Sequence, residues 1–190
     1  MNDILTHIDK YHKLSAASRA AFLDICTAKH FCKGSFLQQA NESARYIYFI
    51  QKGLVGYYTT NEKGAITYKM FFAENSFVAS TSAVVGNLPS DFAIIALEDC
   101  QVIRYSAAAF RSLYQTRHDI ALFHIHYLEE NWVVKKEPLE IALRNQTAKE
   151  RYLKLRADLS LYSRLKKHHI ASYLGITPTQ LSRIRKELKT

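Results

Sequence analysis

LKKHHIASYLGITPTQLSRIRKEL, the run from Leu165 to Leu188, contains two short amphipathic helical patterns separated by one glycine. Ile170, Ala171 and Leu174 are the apolar positions of the first pattern, and Leu181, Ile184 and Leu188 recur at i, i+3 and i+7 in the second. Gly175 stands where a helix ends in a left-handed residue. Thr177 followed by Pro178 reads as an N-cap with proline at the first helical position, so a second helix begins at once. This is the pattern of a helix-turn-helix, with the small Ala171 where the helices cross. The polar face of the second helix carries Thr179, Gln180, Ser182, Arg183 and Lys186, residue types that reach base edges and phosphates. The same spacing also suits a helical hairpin with a solvated basic face.

The charge distribution favours the nucleic-acid reading. Residues 1–134 hold 12 Lys/Arg and 12 Asp/Glu, whereas residues 135–190 hold 14 and 5, so the whole excess of +9 lies at the helical end. Clustered cations release counterions from a phosphate backbone, and a basic surface serving solubility alone would be spread more evenly. No apolar run approaches the roughly 20 residues needed to span a bilayer, and MNDILTHIDKYHKL lacks a signal-peptide core, so no membrane partner and a cytoplasmic location are expected. Cys26, Cys32 and Cys100 are too scattered for a metal or iron–sulfur site and read as reduced thiols. His124 and His126 fall on different sides of a helix. Neither a Ser/His/Asp order nor a phosphate-cradling glycine loop stands out, so no catalytic residue and no enzyme are expected.

Working back through the chain, residues 106–116 suggest a short helix capped by Ser106. A long helix is expected from His118 to Leu143, with Ile120, Phe123, Tyr127, Asn131, Val134 and Ile141 as one seam and Ile125, Leu128 and Trp132 as a second apolar line. One line would pack on the preceding domain and the other on a second subunit. Pro138 predicts a kink or restart near Lys135 to Pro138, either a hinge or a fixed bend. Gln146 to Ala157 reads as a further helix and Asp158 to Arg164 as a loop. Before all of these, Phe31 to Tyr105 has strand periodicity broken by glycine turns: Phe36-Leu37, Tyr46 to Ile50, Leu54 to Thr60, Ala65 to Phe72, Phe92 to Leu97 and Cys100 to Tyr105. Such spacing indicates a sandwich or barrel. Two short helices precede it, the second running from Ala16 to Ala28 with Phe22, Ile25 and Cys26 on one face.

The run IASYLGITPTQLSRIRK, preceded by KERYLKL at Lys149 to Leu155, resembles the carboxy-terminal domain of Crp/Fnr transcription regulators, in particular their short branch. YIYFIQKGLVGYY and FFAENSFVASTSAVVGNLPSDFAIIALEDCQVI are similar in pattern to the family's β-roll and its phosphate-binding cassette. The resemblance implies an α+β fold: a cyclic-nucleotide-binding-like β-roll (a double-stranded β-helix or jelly roll) flanked by helices over residues 1–117, a dimerisation helix and hinge over 118–144, and a helix-turn-helix domain over 145–190. It implies double-stranded DNA and a second copy of the chain as partners, with RNA polymerase as the machinery acted upon, and two recognition helices roughly 34 Å apart on a near-palindrome. By position in the family motif, Thr179, Gln180 and Arg183 face bases, and Lys167, His168, Thr177, Ser182, Arg185 and Lys186 are the phosphate candidates. Ile120, Phe123, Tyr127 and Val134 would form the dimer interface. The chain runs only to Thr190, so the wing of longer relatives is not expected.

The cassette departs from the family chemistry. Cyclic-nucleotide binders place there a Gly-Glu pair for the ribose and an arginine for the phosphate. Ala79-Ser80 and Ser90-Asp91 occupy those positions. A buried phosphate needs a fixed cation or several donors, and Asp91 would repel it. Cyclic AMP bound in the usual way is therefore not expected. A candidate effector pocket remains at Ala79, Ser80, Thr81, Ser90, Asp91, Tyr127 and Asn131, where hydroxyls would serve an unidentified small molecule or simply act as loop and cap residues. The alternative reading is a small-molecule sensor whose DNA-binding end is secondary or degenerate.

Overall fold

The computed structural model describes residues 2–188. Lys189 and Thr190, on which the expectation about the wing rested, lie outside the described residues. Among the described residues eight strands form two four-stranded antiparallel sheets: β1 (Cys26–Phe31), β8 (Cys100–Ser106), β3 (Tyr46–Lys52) and β6 (Ser76–Val78) in that order, and β2 (Phe36–Gln38), β7 (Ala93–Ala96), β4 (Val55–Thr60) and β5 (Ile66–Phe72). The cassette helix α3 (Thr81–Gly86) lies between β6 and β7.

Period-2 alternation explains why Tyr46 to Ile50 is apolar without a break. Successive side chains on a strand point to opposite faces, so a strand covered on both sides has no polar position to spare. Tyr48 and Ile50 point into the space between the sheets, with Val55, Tyr57, Ile94 and Val102. Phe49 points outward into a second core with Phe77, Ile103 and Tyr105, which is roofed by α1 (Asn2–Ile8), α2 (Ala16–Asp24), α4 (Ala107–Thr116) and α5 (His118–Leu128). Each fully buried side chain of this size contributes about 1.5–3 kcal/mol. The helix expected from Ala16 to Ala28 is shorter: Ile25 caps α2 and Cys26 already pairs with Tyr105 in the sheet.

The expected long helix is divided. After α5 come a π-helical segment, Glu129–Val134, and α6 (Lys136–Asn145). Pro138 lies in the first turn of α6, where a missing backbone N–H is tolerated, so the local irregularity is the π segment before it. Lys135 N–H reaches back to Glu130 O at 3.0 Å, an i to i−5 bond. The interface assigned to Ile120, Phe123 and Tyr127 is corrected by the packing. Ile120 and Phe123 are buried in the chain's own core, and Tyr127 packs beside them against Tyr11 and Phe77. Of the four residues, Val134 stays exposed, and it shares that exposure with Ile125, Trp132, Leu139, Ile141 and Leu143.

The chain ends in α7 (Ala148–Ala157), α8 (Leu159–Tyr162), α9 (Lys167–Leu174) and α10 (Pro178–Glu187). The loop expected over Asp158 to Arg164 holds the short α8, because the Asp158 carboxylate accepts from Leu161 N–H at 3.1 Å and caps it. Leu155, Ile170, Ala171, Leu174 and Leu181 make a core whose floor is the outer face of the second sheet, through Leu54, Phe71, Ala73 and Leu97. None of the described helices is long and apolar enough to cross a membrane.

Candidate nucleic-acid interface

Local chemistry sets the α9–α10 pair. Gly175 ends α9 at φ 69°, a left-handed conformation in which a β-carbon would be strained. Arg151 Nη2 donates to Leu174 O at 2.8 Å, satisfying one of the carbonyls left open at that helix end. Two residues later Thr177 caps α10: its Oγ accepts from Gln180 N–H at 3.2 Å, while Gln180 Oε1 accepts from Thr177 N–H at 2.8 Å. This reciprocal capping box, with Pro178 at the first helical position, fixes where α10 starts and which residues face outward. Leu181 is fully buried and orients the helix.

Thr179 and Arg183 are exposed on the outer face of α10, with Lys167, His168 and Thr177 exposed nearby in the chain. The other candidates have internal duties. Gln180 is exposed, yet its side-chain oxygen belongs to the cap. Ser182 bonds back to Pro178 O at 2.9 Å. Arg185 lies over the rings of Tyr152 and Tyr162, at 5.9 and 5.8 Å, and so packs against α7 and α8. Lys186 sits exposed on the next position.

Residues with no part in the sequence reading hold this unit to the β-roll. The Arg164 guanidinium forks between two carboxylates, reaching Glu74 at 2.8 and 3.0 Å and Glu98 at 3.0 and 2.6 Å. Arg164 holds the Glu74 carboxyl down to about 2, against the opposing effect of burial, and Gly53 N–H adds a further bond to it. Ser172 accepts from Tyr68 N–H and donates to Ile66 O, satisfying the open edge of β5. Ile66 and Thr67 thereby form one wall of a cleft of about 270 Å³ whose other wall is Gly175, Ile176, Thr177 and Gln180. No local pattern marks Arg164, because its two partners are 90 and 66 residues away.

The cassette is arranged differently. Ser80 and Ser90 are both buried, with their hydroxyl oxygens 2.7 Å apart, and Ser90 Oγ also lies 2.6 Å from Phe92 O and accepts from Phe92 N–H. The Tyr57 ring stacks on Phe92 at 4.6 Å, and Lys69 Nζ stands 4.8 Å from the Phe92 ring. Burial lowers the Lys69 pKa, helped by the charge of Lys136. Burial raises that of Tyr57, against the effect of a hydrogen bond to Ser80. Asp91 is exposed, Ala79 and Thr81 are half-buried, and none of the three has the arginine-like fork that a phosphate needs. Tyr127 and Asn131 are corrected out of this pocket: Asn131 Nδ2 donates to Tyr11 Oη at 3.1 Å and to Tyr127 O at 2.9 Å, and the Tyr127 ring packs on Tyr11, so both residues hold the segment that follows α1.

The two-sheet roll with a helix-bearing cassette between β6 and β7 is the decisive observation. Residues 28–117 match the Cyclic nucleotide-binding domain family. The matched region nevertheless does not fit such a ligand in the family manner, since the Ser80 and Ser90 hydroxyls are spent on each other and the stacked Tyr57 and Phe92 rings lie beside them. No curated protein matches the chain. Among solved structures it is similar to the c-di-GMP responsive global regulator CLP of Xanthomonas campestris, with a TM-score of 0.71 at 15% identity over 92% of each chain. FixK2 from Bradyrhizobium japonicum gives a TM-score of 0.72 at 17% identity, covering 87% of this chain and 85% of that one. A putative transcriptional regulator of the Crp/Fnr family from Eubacterium rectale gives 0.66 at 14% identity, over 93% and 84%. These likenesses are of fold, and they extend beyond the roll to most of the chain.

Proposed function

We propose that the chain is a homodimeric, sequence-specific DNA-binding transcription regulator of the Crp/Fnr type that does not respond to cyclic AMP in the usual way. The observation that carries this reading is the outward face of α10, where Thr179 and Arg183 stand exposed on a helix fixed at its start by a capping box. In this reading α9 and α10 are a helix-turn-helix within a DNA-binding domain at 145–190, residues 1–117 are the sensor domain, and 118–144 connect them and dimerise. The exposed apolar residues Ile125, Trp132, Val134, Leu139 and Ile141 support the second copy, because so much apolar surface along one helical connection is costly in water. The closed Ser80–Ser90 pair supports the exclusion of cyclic AMP.

Arg183 is the residue to test, since an arginine can make two bonds to guanine O6 and N7. Selection of random duplexes by the purified protein should recover a near-palindrome. Arg183→Ala should weaken binding to it by about 1–3 kcal/mol and relax the preference at one position of each half-site. Recovery of no motif by the wild-type protein, with and without cell extract, would overturn the proposal.

A further inference from the structure

We propose that Gln180 reads DNA through its amide nitrogen alone, as a one-sided donor that selects guanine or thymine and rejects cytosine, where a glutamine free at both ends would choose adenine. The proposal rests on the DNA-binding reading above and adds to it which base edges one residue of α10 accepts.

A glutamine amide has an acceptor end and a donor end: its oxygen carries two lone pairs and its nitrogen two N–H bonds. In Gln180 the acceptor end is full. Thr177 N–H donates to Oε1 at 2.8 Å and the Thr177 hydroxyl donates to it at 3.1 Å, while Thr177 Oγ accepts from Gln180 N–H at 3.2 Å. A main-chain N–H can only donate, so the oxygen and not the nitrogen is turned to the cap. Among the described residues Nε2 has no hydrogen-bond partner. The cleft beside it, walled by Ile66 and Thr67, is lined by no carboxylate that could claim it. The fold therefore takes the acceptor and leaves the donor.

Gln180 is exposed in the first turn of α10, three residues before Arg183, so the two side chains are neighbours on the helix surface. Three residues advance a helix by about 4.5 Å, close to the roughly 3.4 Å step between base pairs, so with Arg183 on a guanine Gln180 comes to the adjoining pair. In the major groove guanine presents two acceptors, O6 and N7, and thymine presents O4. Adenine sets an N6 donor beside N7, and cytosine presents a donor alone. Two N–H bonds on one nitrogen suit guanine best and thymine next. On adenine they meet the N6 donor with no oxygen free to accept from it. The usual pairing of glutamine with adenine depends on the oxygen that this cap has taken.

The test turns on Gln180→Glu. One carboxylate oxygen takes the place of Oε1 at Thr177 N–H, as glutamate does in a capping box, while the outward N–H2 becomes an acceptor. Wild type, Gln180→Glu and Gln180→Ala first select random duplexes. Their affinities are then measured by fluorescence anisotropy on duplexes that differ only at the position blurred in the Gln180→Ala selection, and on a scrambled duplex. Wild type should prefer guanine, then thymine, over cytosine by roughly tenfold. Gln180→Glu should melt no lower than wild type and bind every duplex more weakly through its charge, yet reverse the order and favour cytosine. A wild-type preference for adenine at that position overturns the proposal, because it requires the oxygen to leave the cap. So does a Gln180→Ala selection identical to wild type, or a Gln180→Glu loss that is equal on all duplexes, since the nitrogen then meets a phosphate or nothing. In each of these cases discrimination through Arg183 persists and the regulator reading stands. Wild-type protein that enriches no sequence removes that reading and the proposal with it.

Discussion

The cassette and the α9–α10 pair are both rich in hydroxyl and amide side chains, and they use them in opposite ways. In the cassette, Ser80 and Ser90 are buried and bonded to each other, so their polarity answers a need of the fold. At the helical end, the cap and the buried Leu181 satisfy the fold first, and Thr179 and Arg183 are left facing water. A polar residue points to a ligand only once the backbone and its buried neighbours have taken what they need. By that criterion the site proposed for this chain is the basic helical end, although the family match lies on the roll.

The largest effect expected is at Leu181. Its truncation to alanine leaves a cavity in a core shared by α7, α9 and α10, and should cost about 2–5 kcal/mol in chemical denaturation. Because Leu54 and Phe71 line the same core, amide-exchange protection should fall in α7 to α10 and along β5, and persist in β3 and β8. Uniform loss across β3 and β8 would show that roll and helical end are one cooperative unit, and the contrast between the two regions would then be one of surface chemistry alone.

The serine pair offers the next test. Ser90→Ala leaves Ser80 and the Phe92 backbone groups short of a partner in a buried site, and should cost about 1–3 kcal/mol. Adding Ser80→Ala should cost much less than its effect in the wild-type background, since the two hydroxyls serve each other. Additive costs in a double-mutant cycle would mean that the hydroxyls do not act as a pair, and the cassette would reopen as a candidate ligand site.

Much of this was legible in the sequence, for local reasons. Gly175, Thr177 and Pro178 announce a helix end and a helix start within three residues, and the structure places both there. Six of the eight described strands coincide with apolar runs between turns, whereas β1 overlaps the end of the helix expected over 16–28 and the three-residue β6 is too short to show a period. What escaped depended on distant partners or on phase. Arg164 looks like any loop cation until the fold brings Glu74 and Glu98 to it. The seam was assigned to Ile120, Phe123, Tyr127 and Val134 as if the helix kept one pitch. The first three are taken up by the packing of α5 beneath α1 and α4, and the π segment turns Val134 away from their side. Periodicity reports that two apolar lines exist, and it does not say which one the chain keeps for itself.

Thr177 carries the smallest effect and separates capping from recognition. Thr177→Ala removes the hydroxyl that accepts from Gln180 N–H, so one donor at the start of α10 returns to water, at a cost of about 1 kcal/mol. Gln180 Oε1 can still accept from the residue 177 N–H, because that bond uses the main chain. The stability loss should therefore be partial, and Thr177→Ser should restore it. DNA binding distinguishes the two roles of the hydroxyl. If Thr177 only caps, Thr177→Ala should leave the sequence preference and the salt slope unchanged, with affinity lowered only as far as α10 frays. If its hydroxyl also meets a phosphate, affinity should fall alike on selected and scrambled duplexes, and the helical end would spend one group on both fold and partner. That outcome would narrow the contrast with the cassette, where the Ser80 and Ser90 hydroxyls are spent on the fold.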